Sequence, residues 1–158
     1  MKVNTHFYLN AKMMVCIIAY IGIIFIATGC FIFNNRPESF IRMSEPTWSS
    51  IEIKSNITPD DAWQQVVDVV AKKFELEMIS KEGGYVRTAW IYTWWKQGEV
   101  TSQYRVRVIV KFSADWKKVD VKTDANYLRK GVWEVGYDTR LLETVKTDIM
   151  GVVGRTTR

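Results

Sequence analysis

The sequence predicts a single α+β domain: an antiparallel sheet of four to five strands with two helices packed on one face, in the order β-α-β-β-β-β-α. Three observations carry this. Two stretches, 59–74 and 138–153, place apolar residues at helical spacing behind recognisable caps. Between them Tyr104, Val106, Val108, Val110 and Phe112 alternate with Arg105, Arg107, Ile109 and Lys111, the pattern of a sheet dry on one face and wet on the other. Short polar turns join the strands, as in a meander.

Taken in order, 48–54 suits a short first strand, with Trp48, Ile51 and Ile53 in imperfect alternation. Thr58-Pro59-Asp60-Asp61 then supplies a hydroxyl cap, a proline at the first helical position and two acids in the first turn. Ala62, Val66, Val69 and Val70 recur at helical spacing behind it. Phe74, Leu76 and Met78 alternate with Glu75 and Glu77 before the turn Gly83-Gly84. The aromatic and β-branched run 85–95 reads as a continuous strand, with Trp90, Tyr92 and Trp94 in the core and Trp95 on the other face. Val119, Val121, Thr123 and Ala125 repeat the alternation of 104–112 after the turn 114–117. The stretch 126–136, rich in Gly, Lys and Arg, reads as a loop. Leu141, Leu142, Val145, Ile149 and Val152 form the second helix, capped by Asp138 or Thr139 and stopped by Gly154; 155–158 should fray.

Composition excludes several chemistries. The only histidine, His6, and both cysteines, Cys16 and Cys30, precede the predicted domain. Ser-His-Asp and Cys-His catalysis and His/Cys zinc sites are therefore not available to it, and no metal ligands, cofactor site or catalytic residues are assigned. Nor can an internal disulfide form. The domain must rest on a packed core, which seven Trp, seven Tyr and seven Phe in the chain can supply. The net charge of +5 falls to +3 once the leader lysines Lys2 and Lys12 are set aside, too mild a balance to argue for nucleic acid.

The segment that fixes location is 13–33, twenty-one residues without a charge, preceded by Lys2 and Lys12. A basic leader before an apolar run is the pattern of an export signal. The run contains Ile26-Ala27-Thr28-Gly29-Cys30, which resembles the processing box of bacterial lipoproteins. The resemblance implies cleavage after residue 29, lipid on the Cys30 thiol, and a tether over 30–47 leading to a domain at 48–154. Phe31 stands where aspartate would retain such a protein in the inner membrane, so the same resemblance implies sorting to the outer membrane. The alternative is an uncleaved signal anchor extending to about residue 33, since twenty-one helical residues span roughly 31 Å, about one bilayer core. Either way the domain is expected outside the cytoplasm.

The element order is similar to that of helix-grip domains found in some outer-membrane lipoproteins, including a subunit of the barrel-assembly machinery. No residue-level motif accompanies the likeness, and no functional residue is carried over from it.

Candidate binding residues are Trp95, Arg105 and Arg107. Pairing Trp94 with Val106 would place Trp95 opposite Arg105 on the wet face, where indole and guanidinium stack. The plainer reading of the basic ladder is a charge-paired solvated face: a four-residue turn at 114–117 sets Arg107 opposite Asp124 and Lys111 opposite Asp120. The carboxylates Asp115, Asp120, Asp124, Glu134, Asp138, Glu143 and Asp148 form no acid/base motif. The expectation is thus a non-catalytic lipoprotein of the bacterial envelope that binds a protein partner. The alternative is a carrier of an apolar ligand between sheet and helices, which would need a cavity of about 300–1,000 Å³. A two-carboxylate enzyme comes third.

Overall fold

The computed structural model describes residues 36–45 and 47–155. The run 13–33 with Cys30, and residues 156–158, lie outside them. The elements are β1 (Phe40–Arg42), β2 (Ser49–Glu52), α1 (Pro59–Ala71), β3 (Leu76–Ser80), β4 (Tyr85–Thr88), β5 (Ile91–Tyr92), β6 (Trp95–Lys96), β7 (Glu99–Val100), β8 (Tyr104–Phe112), β9 (Lys118–Arg129), β10 (Val132–Asp138) and α2 (Thr139–Val153). The fold is α+β as expected, but the sheet has eight strands where four to five were expected.

The sheet runs β1-β10-β9-β8-β4-β3 in antiparallel pairings, with β2 against β9 and β5 against β8. Its centre is the β8–β9 hairpin, in register from Tyr104 opposite Tyr127 to Phe112 opposite Val119. The four-residue turn holds, closed by Ser113 N–H donating to the Lys118 carbonyl (2.9 Å). The residues that alternate onto one face of this hairpin are buried on both of its strands. Val106, Val108, Val110, Val119 and Val121 are each 1% exposed or less. Val66 and Val70 of α1 and Leu142, Val145, Ile149 and Val153 of α2 share one core cluster with Val108, Val110, Val119 and Val121, whereas Val106 lies in a second cluster with Phe40, Tyr104, Ala125 and Tyr127.

Both helices begin as their residues dictate. Thr58 Oγ1 accepts from Asp61 N–H (3.1 Å), with Pro59 at the first helical position. At the second helix the cap is Asp138, whose Oδ1 accepts from Leu141 N–H (2.7 Å). Its Oδ2 accepts from the Tyr104 hydroxyl (2.6 Å) and the Ser39 hydroxyl (2.7 Å). Thr123 Oγ1 donates to the Asp138 carbonyl (2.9 Å) and accepts from its N–H (3.1 Å). A carboxylate only 4% exposed is thus surrounded by donors, as a buried charge requires.

Three segments differ from expectation. The stretch 126–136 is not a loop: β9 continues to Arg129 and turns through Lys130-Gly131, both with positive φ (48° and 80°), straight into β10. Two positive φ angles define the hairpin turn whose twist matches the strands, and lysine there hides the usual Asn-Gly signal. The stretch 30–47 is not all tether, because Phe40 is 1% exposed and packs edge-on to Tyr104 (5.8 Å between ring centroids). Its strand β1 pairs with β10 where Gly136 allows close approach: a Cβ there would lie 2.1 Å from the Ile41 carbonyl oxygen. The compact unit accordingly begins at Arg36, not at residue 48. Finally Arg155, expected to fray, donates its N–H to the Glu52 carbonyl (2.8 Å).

The tie between Tyr104 and Asp138 generates a pH prediction. Burial first, then the hydrogen bond and charge of Asp138, hold the Tyr104 phenol well above the ordinary tyrosine range. In the unfolded chain it ionises near pH 10, so its contribution is complete below about pH 10 and is lost as pH rises further. Tyr104→Phe should cost about 1–3 kcal/mol at neutral pH. Above about pH 10 the gap from wild type should narrow, because only the wild type loses this contribution. Denaturant titrations at neutral pH and at about pH 11 measure it; a gap that stays constant would contradict the tie.

Candidate binding face

With both helices on the dry face, the opposite face of the sheet is open, and the alternating residues of β8 and β9 decide what it carries. Arg105, Arg107 and Lys111 stand on it from β8, and Asp120, Lys122 and Asp124 from β9. The expected pairings are present: Arg107 is opposite Asp124, and Lys111 opposite Asp120. Ile109 lies on the same face, between Arg87 and Lys122 in register, and is only 4% exposed. The long side chains therefore lie over the sheet rather than standing off it.

Trp90 joins this face through an irregularity. Arg87 is opposite Ile109 and Ile91 is opposite Val106, so three residues of one segment face two of the other. This is a bulge. Thr88 Oγ1 accepts from Val108 N–H (2.9 Å), and Ala89 N–H turns away to the Glu75 carbonyl (2.9 Å). The extra residue reverses the alternation beyond it. Trp90, expected in the core, instead sits between two guanidinium groups. Arg107 Cζ is 4.5 Å from its ring centroid and Arg105 Cζ is 4.6 Å. Trp133, from β10, covers Arg105 on a second side at 4.6 Å. The result is an alternating stack, Arg107–Trp90–Arg105–Trp133. A further contact places Lys122 Nζ 5.1 Å from the Trp48 ring.

The cations of this face differ in how they are neutralised. Arg107 donates to Asp124 Oδ2 from Nε (2.9 Å) and approaches it with Nη2 (2.8 Å), and Lys122 Nζ lies 3.3 Å from Asp124 Oδ1. Arg87 donates to Glu77 (3.0 Å). Arg105 has the neutral Tyr92 and Asn126 as its register partners, and its buried Nε has no hydrogen-bond acceptor among the described residues. Around it the face is apolar and open: Tyr92 is 47% exposed, Trp133 38% and Val135 49%.

Trp95 does not meet Arg105. The chain leaves the sheet after Tyr92, and Trp95 pairs with Val100 in the separate β6–β7 hairpin. Gln97 and Gly98, both with positive φ, form its turn. Trp95 is 65% exposed, and its neighbours divide the work: Trp94 packs edge-on to Tyr127 (5.8 Å), with Lys96 Nζ 4.6 Å from the Trp94 ring. Of the predicted site residues, Arg105 and Arg107 are brought together and Trp95 is carried away from them. Trp90 and Trp133 are members that sequence reasoning missed, one assigned to the core and one to a loop. Cys30 lies outside the described residues.

The scattered carboxylates all have structural partners. Asp120 accepts from Ser50, Asp148 pairs with Lys73, Glu134 with Arg129 (3.6 Å), and Glu143 with Lys146 (3.6 Å). The Ser113 hydroxyl, then the Lys117 N–H, hold Asp115 below the usual carboxylate range in the β8–β9 turn. Among the described residues no three His, Cys, Asp or Glu side chains gather as a metal site. A cleft of about 470 Å³, lined by Lys54, Ile57, Trp116, Lys118 and Arg155 among others, lies at one end of the sheet rather than between sheet and helices. The chain matches no family model, and no curated protein matches it in sequence.

Proposed function

We propose that this is a membrane-tethered, extracytoplasmic protein of the bacterial envelope, sorted to the outer membrane, that works without catalysis by binding a protein partner. One observation carries the binding role: the open face of the sheet presents a stacked Arg–Trp ladder bordered by exposed Tyr92, Trp133 and Val135. Aromatic residues and arginine dominate the energetics of protein interfaces, and packed stacks present them with little entropy left to lose. The β6–β7 hairpin adds a second contact element, with the paired Trp95 and Val100 both exposed. The tether rests on the charge-free run 13–33 and the box ending at Cys30. The likeness to helix-grip domains rests on element order alone. Carriage of an apolar ligand draws no support from the layer between sheet and helices, which is filled by Trp63, Val66, Val70, Val145 and Ile149, all buried.

Two experiments test this reading. Intact mass of the purified protein should show loss of residues 1–29 and an acyl-glyceryl adduct, and Cys30→Ala should leave a longer, unprocessed chain. A full-length wild-type mass without adduct would replace the lipid by an uncleaved anchor. The second compares two tryptophans. Trp95→Ala should cost about 1 kcal/mol or less, since the ring is 65% exposed, yet weaken capture of the envelope partner. Trp90→Ala should cost about 2–3 kcal/mol, losing partial burial and two cation–π contacts. Equal stability losses, or undiminished capture by Trp95→Ala, would remove the hairpin from the interface.

A further inference from the structure

Resting on the binding-face reading, the geometry points to Arg105 as the docking point for one carboxylate of the protein partner: an aspartate or glutamate side chain set among apolar residues. Guanidinium groups carry five donors in a planar fork that matches a carboxylate. On this face Arg107, Lys122 and Arg87 already face carboxylates, and Lys111 stands opposite Asp120. Arg105 has no carboxylate as register partner and no ion pair among the described residues, and the hydrogen of its buried Nε meets no acceptor there.

The two indoles matter as much as the missing anion. Trp90 and Trp133, each with its ring centroid 4.6 Å from Arg105 Cζ, hold the guanidinium in place. The side-chain freedom that binding would otherwise remove is already gone. One register row across the sheet runs Tyr92, Arg105, Asn126, Val135, so the cation is flanked on both sides by exposed apolar surface beyond a neutral amide.

This arrangement suits a protein rather than a lipid surface. Attraction to an anionic membrane needs several uncompensated cations close together. Here Asp120 and Asp124 stand among the cations and would repel such a plane. A single free guanidinium in an aromatic setting fits point recognition, with the surrounding apolar contacts excluding water.

The test pans the full-length protein, held in neutral detergent, against a random-peptide phage library, with phosphatidylglycerol vesicles as a parallel probe. Enriched peptides should share one Asp or Glu between apolar residues. Replacing that acid by its amide should weaken binding at least about tenfold, as should Arg105→Gln. Arg105→Lys, which keeps the charge but not the fork, should not restore it. Matched unfolding curves of the two variants separate lost binding from lost fold. Peptides that lack an acid, bind independently of Arg105 and are lost on Tyr92→Ala would overturn the carboxylate inference and leave the binding face standing. Peptides insensitive to every open-face substitution would overturn both. Vesicle binding that depends on Arg105, without enrichment of acidic peptides, would replace the protein carboxylate by a lipid headgroup.

Discussion

Asp138 is the residue on which the arrangement of the two layers depends. It ends β10, caps α2, and receives hydrogen bonds from Tyr104 on β8 and from Ser39 just before β1. Its backbone is pinned to Thr123 on β9 by two further bonds. Four strands or their approaches and one helix therefore meet at this one buried residue. Hydrogen bonds to a charged group contribute about 1.5–3 kcal/mol each, whereas the same carboxylate without donors would be strongly unfavourable inside the protein. The direction in which the chain turns from β10 into α2 is set here. That turn lays α2 over the dry face, where it shares a core with α1.

The open face follows from this choice. With Val108 and Val110 already packed under the helices, the residues alternating with them have only solvent and one another. Long cationic side chains on such a face normally remain extended and hydrated. Here the bulge at 88–90 delivers Trp90 among them, and β10 delivers Trp133. The guanidiniums stack on rings instead of reaching into water. Asp124 then neutralises Arg107 and Lys122 together, whereas Arg105 is held between rings with no ion pair among the described residues.

How much of this the sequence disclosed depends on how local each cause was. The caps of both helices are written within four residues and are legible. The register of β8 on β9 is also legible, because a four-residue turn between two alternating runs fixes it, and with it the facing of Arg107 and Asp124. The bulge is not: it depends on Thr88 bonding Val108, twenty residues away, and aromatic alternation alone puts Trp90 in the core. The second hairpin was hidden because Lys130 occupies a left-handed position usually taken by Asn or Gly. Least visible was the role of Asp138, since Ser39 is 99 residues distant and lies in a stretch whose prolines and serines read as linker. The candidate site was thus half legible: its cations came from local alternation, its indoles from long-range geometry.

The proposed binding role puts the partner on the open sheet face and not on the helical layer. Tyr92 on that face and Met150 on the outer side of α2 are similarly exposed, at 47% and 43%, so accessibility alone cannot separate them. A photo-crosslinking residue placed at each position in turn, in the native cell, gives the direct comparison. A discrete protein adduct is expected from position 92 and none from position 150. An adduct from 150 with none from 92 would contradict it.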